Sequence, residues 1–243
     1  MKETEDIFQR TELLLGEAAM ERLAGVRVIL FGVGGVGSWC AESLVRSGVT
    51  HLTLVDGDRV CASNLNRQLL ATADTLGQVK VNALRERLLR INPNAQIRAE
   101  YALYTAETAE QFALDSYDYV VDAIDSLQHK AHLMVEATRL GVKLFSSMGA
   151  ALKLDPTRIR VAEFWQVQGC PLAASLRRRF RKSKVFPARK FLCVYSDELL
   201  TNHYPSLPAS ADTVRVNGTV AHITAIFGFT LAGLLVQDVV KTQ

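Results

Sequence analysis

The chain has 243 residues, of which 49% are hydrophobic and 22% are charged, which is enough for one sizeable α/β domain. This composition excludes a disordered chain, a collagen-like repeat and a small disulfide-stapled protein. The net charge of +3 conceals an asymmetry, because residues 175–190 contain eight Lys or Arg and no acid, leaving 20 basic against 25 acidic residues elsewhere. Such a segment favours an anionic partner, nucleic acid before a membrane surface, although a solvated loop has the same composition.

The first part of the chain alternates β-branched runs with amphipathic stretches. Strands are predicted at 26–31, 51–56, 95–100, 117–125 and 142–147, and helices at 38–46, 77–91, 105–114 and 126–140. The fourth strand is almost continuously apolar, as a strand buried on both faces should be. The alternation predicts a Rossmann-like, doubly wound and mainly parallel sheet.

The pattern changes after Gly149. We predict a hairpin over 151–164 that turns at Asp155-Pro156, a short helix over 171–180 and a strand over 191–195. A loose polar segment, 196–217, and a long apolar helix, 219–240, follow. With no convincing linker, we predict a single domain over 1–243. Its nucleotide-binding core spans about 26–150, and a C-terminal hairpin/helix extension at about 151–243, which contains the basic segment, would bind the substrate and a nucleic acid.

The cysteines and the apolar segments bear on metal content and location. The four cysteines form no closely spaced pair, so we expect no structural zinc and a reducing cytoplasm, and the polar N-terminus is not expected to be a secretory signal. Residues 216–237 contain no Asp, Glu, Lys or Arg and are long enough to span a bilayer. Because they include Asn217, His222, three Thr and three Gly, we favour a buried core or interface helix over membrane association through 219–237.

A glycine-rich turn follows the first predicted strand and opens a helix. Its glycines, in the pattern G-x-G-x-x-G, are Gly32, Gly34, Gly35 and Gly37. In this context the backbone can approach a phosphate, whose charge is met by amide N–H groups and the helix dipole. Asp56 ends the second strand, where a carboxylate can hold a ribose hydroxyl. Nucleotide binding is therefore predicted, against the alternative of a tight turn without a ligand.

Further polar residues separate this chain from a dinucleotide-dependent dehydrogenase. They are Asp58, Asn64, Arg67, Gln68 and Lys80. A dinucleotide has one pyrophosphate, which the glycine turn satisfies, so added cations and amides favour a triphosphate whose charge grows during reaction. Asp125 follows the fourth strand and is placed to hold Mg²⁺. Each has a plain alternative: Asn64 as a helix cap, Arg67 and Lys80 as surface charges, and Asp125 as an N-cap.

The glycine turn and the polar residues that follow it resemble those of the ubiquitin-activating-enzyme-like adenylyltransferases, which include the sulfur-carrier activators of thiamine and molybdopterin synthesis. Within that superfamily the sequence is most similar to the tRNA threonylcarbamoyladenosine dehydratases. The segments that carry the resemblance are FQRTELLLG (8–16), GVGGVGSWCAESLVRSG (32–48), VCASNLNRQ (60–68), RINPNAQI (90–97), YDYVVDAID (117–125), SSMGAALKLDPTRI (146–159) and CPLAASLRRRFRK (170–182). The resemblance is loose from 185 to 217.

The resemblance implies roles for the residues already singled out. The four glycines would cradle ATP with Asp56 on its ribose, while Asn64, Arg67, Gln68 and Lys80 would hold the phosphates. Asp125 would hold the magnesium. Arg10 matches a family arginine that reaches the ATP of the other subunit, which implies a homodimer; the alternative is an exposed charge near a flexible end.

The implied reaction is the ATP-dependent dehydration of N6-threonylcarbamoyladenosine next to the anticodon of tRNA. Its free carboxylate attacks the α-phosphorus of MgATP, and the threonylcarbamoyl group then closes on its activated carbonyl with loss of AMP. Three alternatives stay open: an adenylyltransferase for a sulfur-carrier protein, a non-catalytic RNA-binding protein that retains ATP and, in third place, a dehydrogenase.

The cysteines and the basic segment favour the tRNA dehydratase over these alternatives. None of Cys40, Cys61, Cys170 and Cys193 lies in an obviously activating context, so all are expected to be structural, and a sulfur-transfer or accessory partner stays an open alternative. A carrier protein does not need clustered cations, whereas a tRNA does. The predicted RNA contacts are Arg177, Arg178, Arg179, Arg181, Lys182 and Lys184. Phe186, Phe191 and Tyr195 would stack on bases or pack in the core.

Overall fold

The structure is a computed structural model that describes residues 7–204 and 217–241. Its strands are β1 (Arg27–Phe31), β2 (His51–Val55), β3 (Gln96–Glu100), β4 (Tyr119–Asp122), β5 (Lys143–Ser147), β6 (Ile159–Glu163) and β7 (Leu192–Ser196). Its α-helices are α1 (Gln9–Leu15), α2 (Glu17–Gly25), α3 (Gly37–Arg46), α4 (Lys80–Ile91), α5 (Leu127–Leu140), α6 (Pro171–Ser183) and α7 (Ala221–Lys241). Part of the predicted polar segment, 205–216, lies outside the described residues.

The strands form one sheet in the order β3-β2-β1-β4-β5-β7-β6. Every neighbouring pair is parallel except β6 with β7. Two hydrophobic clusters cover its faces, one supplied by α3, α4 and α7 and the other by α5 and α6. The predicted Rossmann-like, doubly wound and mainly parallel sheet is confirmed. The order reverses between β1 and β4, so the crevice where such sheets bind ligands lies beyond the carboxyl ends of these two strands.

The predicted helix at 105–114 is wrong. Residues Ala109–Phe112 and Leu114–Ser116 form two short 3₁₀ turns, separated by Ala113 in the left-handed conformation with φ 42°. Thr105 and Thr108 bond to local backbone groups, since Thr108 Oγ1 accepts from the amide of Thr105 at 2.9 Å and donates to the carbonyl of Leu103 at 2.8 Å. Threonine side chains that bond their own backbone compete with a continuous helix.

The antiparallel strand pair in the C-terminal extension is not the local hairpin predicted over 151–164. β6 pairs instead with β7, with Val161 opposite Val194. The first half of the predicted hairpin is used elsewhere, because Leu152 donates its amide to the carbonyl of Gly218 and accepts the amide of Leu200, both at 2.9 Å. Asp155 caps a 3₁₀ turn that begins at Pro156. The extension thus contains the antiparallel strands and helices expected of it, with a different turn.

Among the described residues, α7 is the one helix long and apolar enough to cross a membrane by length and composition. Half of its most apolar window is buried, and it packs along α3. A Cβ on Gly228 would lie 2.5 Å from the carbonyl oxygen of Val36, so the two backbones approach closely at this glycine. This packing is what the preferred alternative, a buried core helix, requires.

Candidate active site

The glycine turn and the β4–α5 loop meet at the switch point of the sheet. Gly32 has φ +84°, and a Cβ there would lie 2.7 Å from the carbonyl oxygen of Ala123. A Cβ on Gly37 would lie 1.8 Å from the carbonyl oxygen of Gly32. These two positions therefore require glycine for the turn itself. A Cβ on Gly34 would meet nothing nearer than Gln68 Nε2 at 3.7 Å, so this position opens into free space.

Asp56 ties the end of β2 to the glycine turn. Its carboxylate accepts the amide of Val33 at 2.9 Å and the amide of Asp58 at 2.9 Å. Burial raises the pKa of Asp56, while the charge of Lys80 and the two amide hydrogen bonds oppose that rise. The carboxylate therefore shapes the turn, in addition to the contact with a ribose that we predict for it.

Lys80 and Asp58 form one unit beside Asp56. The Lys80 ammonium lies 2.7 Å from Asp58 Oδ2. The lysine is buried, whereas the Asp58 side chain is 71% exposed. A buried stem fixes where the ammonium sits, and an exposed partner can release it to a more highly charged group. The arrangement suits a lysine that moves from a carboxylate to a phosphate.

Residues 64–68 lie against the same turn. Asn64 is buried and its Oδ1 accepts the amide of Cys61 at 3.1 Å, which is the capping contact considered as its plain alternative. The guanidinium of Arg67 donates to the carbonyl of Ser63 at 2.8 Å, and Arg67 Cγ lies 3.3 Å from the position of a Cβ on Gly35. Gln68 Oε1 is buried with no hydrogen-bond partner among the described residues. At the turn itself, the atoms nearest to Gly34 and Gly35 include Gln68 Nε2 and the stem of Arg67.

Asp125 is exposed in the loop between β4 and α5. Across the described parts of the chain, no group of three or more His, Cys, Asp or Glu is arranged to hold a metal ion. A single exposed carboxylate is nevertheless enough for Mg²⁺ bound together with phosphates, because that ion keeps several waters and uses one or two protein carboxylates. The donor set therefore fits Mg²⁺ on a nucleotide and no dedicated metal cage.

A buried ion pair below this loop escaped the sequence analysis. Asp122 and Lys130 are both fully buried, with Lys130 Nζ 2.8 Å from Asp122 Oδ2, and Ser146 Oγ donates to the same oxygen at 2.7 Å. The available signal was an aspartate at the end of an almost continuously apolar strand, since a buried charge requires a partner. The partner itself was hidden, because Lys130 lies on a helix whose buried face the sequence does not mark.

Arg10 lies on α1, a helix that buries none of its residues in its own chain. Arg10 is exposed and has no hydrogen bond or ion pair with any residue that the structure describes. Leu13 and Leu14 on the same helix are 83% and 82% exposed. The structure of one chain thus leaves α1 with apolar side chains and an arginine facing outward.

The predicted RNA-contact residues occupy the second half of α6 and, at Lys184, the position just after it. The helix runs away from the crevice. The helix begins near the carboxyl end of β5, where Leu172 Cβ lies 3.7 Å from the position of a Cβ on Gly149. At the opposite edge of the sheet, Arg177 Nη1 donates at 3.2 Å to the carbonyl of Phe164, whose amide bonds to Phe191 just before β7. The remaining predicted cations are all exposed: Arg178, Arg179, Arg181, Lys182 and Lys184. At 1.5 Å per residue, Arg177 to Lys182 lie about 9–17 Å along α6 from its first residue.

Two of the three aromatics considered for base stacking belong to the core. Phe191 and Tyr195 are buried, which leaves Phe186 exposed with its ring centroid 6.1 Å from that of Trp165. Three of the cysteines are also buried, and burial raises the pKa of the Cys40 and Cys193 thiols. A raised thiol pKa disfavours the thiolate needed for sulfur chemistry. Cys61 is exposed beside Ser63, with 3.2 Å between Sγ and Oγ.

A glycine turn at the switch point, with the stem of Arg67, the amide of Gln68 and the charge of Lys80 beside it, defines a nucleotide-binding α/β protein of the Rossmann-like class. The chain belongs to the ThiF family, whose model matches residues 8–242. It is 37% identical over 242 residues to the tRNA threonylcarbamoyladenosine dehydratase of Bacillus subtilis, covering 96% of this chain and 94% of that protein. It is 35% identical over 240 residues to the protein of the same name from Escherichia coli, covering 91% and 89%.

A solved structure extends this likeness to three dimensions. The E. coli tRNA N6-threonylcarbamoyladenosine dehydratase TcdA in complex with ATP superposes with a TM-score of 0.84 at 33% identity. The superposition covers 96% of this chain and 93% of that one. The similarity therefore includes the C-terminal extension as well as the nucleotide-binding core.

Proposed function

We propose that this protein is an ATP-dependent tRNA threonylcarbamoyladenosine dehydratase that works by forming an acyl-adenylate. The observation that carries the proposal is the cluster against the glycine turn. Arg67, the Lys80 ammonium and the Nε2 donor of Gln68, which faces Gly34, supply more positive charge and more donors than one pyrophosphate needs. The near full-length likeness to proteins of that name supports the substrate.

ATP would lie across the switch point. The glycine turn (Gly32, Gly34, Gly35 and Gly37) would cradle its phosphates, and Asp56 would hold its ribose. The amide of Gly32 itself donates to the carbonyl of Val55 at 2.8 Å, so the phosphates would meet the amides further along the turn. Arg67 and Lys80 would carry the positive charge. Asn64 would hold the loop of residues 61–68 in place, Gln68 would offer its amide, and Asp58 would position the Lys80 ammonium. Asp125 would hold Mg²⁺, which supplies a charge that neutralises the phosphates.

The chemistry would proceed in two steps. The threonyl carboxylate of the modified adenosine attacks the α-phosphorus of ATP, forming an acyl-adenylate as pyrophosphate leaves. The threonylcarbamoyl group then closes on its own activated carbonyl, and the bond to AMP breaks. Arg67 and Lys80 oppose the negative charge that develops in the first step. The second step is intramolecular, so proximity supplies its rate and no enzyme thiol is required. No sulfur atom moves, so a sulfur-transfer partner enters neither step.

The tRNA would be held along α6. With its reactive nucleoside in the crevice, an RNA must extend about 9–17 Å along α6 to meet the cations Arg177 to Lys182. A stem with a charged backbone can do so, whereas a free nucleoside cannot. We accordingly expect a folded anticodon arm to be needed, and we place the reaction in the cytoplasm, where tRNA and ATP are both present.

Arg10 would act from the other subunit of a homodimer. The outward-facing Leu13 and Leu14 support burial of α1 against a second copy. Mixing Arg10→Ala with Asp125→Ala protein tests the arrangement, because a mixed dimer contains one site with an intact arginine and an intact aspartate. Reassociation should recover about a quarter of wild-type activity, since half the dimers are mixed and each has one working site. No recovery, with exchange of subunits demonstrated by mass, would contradict a shared site.

The decisive test is mass spectrometry of nucleosides from modified tRNA incubated with the protein and MgATP. Threonylcarbamoyladenosine should lose the mass of one water molecule, and should not do so without ATP or with Asp125→Ala. No mass change, with pyrophosphate released only when a sulfur-carrier protein is added, would transfer the assignment to the carrier activators. RNA binding that survives Arg67→Ala and Asp125→Ala without any turnover in the wild type would leave a non-catalytic protein.

A further inference from the structure

The buried pair Asp122–Lys130 holds the main chain immediately before Asp125. Asp122 Oδ1 accepts the amide of Ile124 at 3.1 Å, and Lys130 Nζ donates to the carbonyl of Ile124 at 3.0 Å. Both polar groups of this one residue are thus tied to the two charges. The peptide groups at Ile124, immediately before the exposed Asp125, are therefore held by hydrogen bonds to the buried pair.

The same loop is pressed against the glycine turn. The amide of Ala123 donates to the carbonyl of Phe31 at 2.8 Å, and the carbonyl of Ala123 fills the space where Gly32 would carry a Cβ. The pair, the loop and the turn therefore form one rigid stack, with Asp125 at its open end. A shift of the Ile124 peptide would move Asp125 relative to the phosphate cradle.

A purely stabilising role does not explain the choice of residues. Removing two charges from water is expensive, and apolar residues of similar volume at such a site are often as stable or more so. Two hydrogen bonds of the pair go to the backbone of Ile124, in the loop beside the proposed nucleotide site. Ligand-supporting contacts of this kind typically change metal affinity or activity 10–100-fold when lost, in order of magnitude.

We propose that Asp122 and Lys130 are positioning residues that hold the Ile124 peptide so that Asp125 faces the divalent cation of bound ATP. The inference rests on the proposed function, because it presupposes that ATP binds at the glycine turn with Mg²⁺ at Asp125. It assigns to the pair no contact with the nucleotide itself.

The test is calorimetric titration of the full chain with ATP, once with excess Mg²⁺ and once with EDTA. The double variant Asp122→Asn/Lys130→Met removes both charges together, so neither is left buried alone. In EDTA it should bind ATP with the wild-type affinity. The factor by which Mg²⁺ raises the ATP affinity should be about tenfold smaller than in the wild type. Asp125→Asn should lose the same increment.

Ser146→Ala is the matched control. It removes another hydrogen bond from Asp122 Oδ2 in the same buried cluster but leaves both ties to Ile124 in place. Its melting temperature should fall while the Mg²⁺-dependent gain stays at the wild-type value. If the double variant does not fold, Asp122→Asn/Lys130→Gln replaces it, because two neutral amides can hydrogen-bond to each other while the shorter glutamine loses its reach to the carbonyl of Ile124.

A folded charge-free variant that keeps the full Mg²⁺-dependent gain overturns the positioning role and leaves the proposed function untouched. Equal loss of that gain in Ser146→Ala also overturns it, since the effect would then belong to the core as a whole. A wild-type protein that does not bind ATP at all refutes the proposed function, and this inference with it.

Discussion

Alanine at Gly34 should weaken ATP binding at least tenfold without harming the fold, whereas alanine at Gly37 should harm the fold itself. The two glycines lie three residues apart in one turn but face different surroundings. A Cβ at Gly34 has no neighbour nearer than 3.7 Å, which is ordinary van der Waals contact, while a Cβ at Gly37 would lie 1.8 Å from a backbone oxygen. The second distance cannot be met without moving the turn.

The stability and the ATP affinity of these variants should therefore separate. Gly34→Ala should change the free energy of unfolding by less than about 1 kcal/mol, in the range of a compatible glycine replacement. Its methyl group would occupy the space between the amides and a phosphate, so ATP affinity should fall at least tenfold, which is about 1.4 kcal/mol. Gly37→Ala should lose several kcal/mol of stability, as overpacking against backbone does at its upper end.

Thermal unfolding and calorimetric ATP titration measure the two quantities on the same samples. Gly233→Ala in α7 is the matched control, because nothing lies within 4 Å of its added Cβ and the site is in a helix interior. That variant should bind ATP normally and be slightly more stable, by about 0.5–1 kcal/mol. Wild-type ATP affinity in Gly34→Ala would refute the claim that this turn cradles the phosphates.

Three further predictions address charge. Lys80→Met should leave tRNA binding unchanged and slow pyrophosphate release by about 10²–10³-fold, because the charge opposing the transition state is gone; a rate within threefold of wild type would contradict the assigned role. Replacing Arg179 and Lys182 by Gln should weaken tRNA binding and reduce its logarithmic salt slope by about one per cation, with ATP affinity unchanged; an unaltered slope would place the RNA elsewhere. Although burial raises it, hydrogen bonds and charge from Arg87 and Arg46 leave the pKa of Glu42 below its ordinary value. The stability that Glu42 contributes is then present above the unfolded-state carboxyl pKa and lost as pH falls through the lower folded-state pKa. Glu42→Gln should cost about 1–2 kcal/mol at neutral pH, and melting curves of the two proteins should converge in acid; a constant difference down to the folded-state pKa would rule this out.

The core elements around the site were predictable because their signals are local. Strand β4 is marked by its apolar run, and the turn by glycines at a spacing that few other structures need. The prediction of a helix at 105–114 was wrong because the side chain of Thr108 bonds to nearby backbone groups, and these bonds compete with helical ones. The hairpin prediction was wrong because Leu152 bonds to Leu200 and Gly218, in distant segments that no local sequence pattern indicates.

The order of residues along this chain determined the class of sheet, the position of the glycine turn and the candidates for binding a triphosphate, because periodicity and spacing act over a few residues. Tertiary structure decided what those residues face. It paired Lys80 with Asp58, buried Lys130 against Asp122, and directed the cations of α6 towards the edge of the sheet opposite the crevice. Burial and orientation depend on which surfaces pack together across the whole chain, and ionic contacts are strong or weak according to the water that this packing excludes.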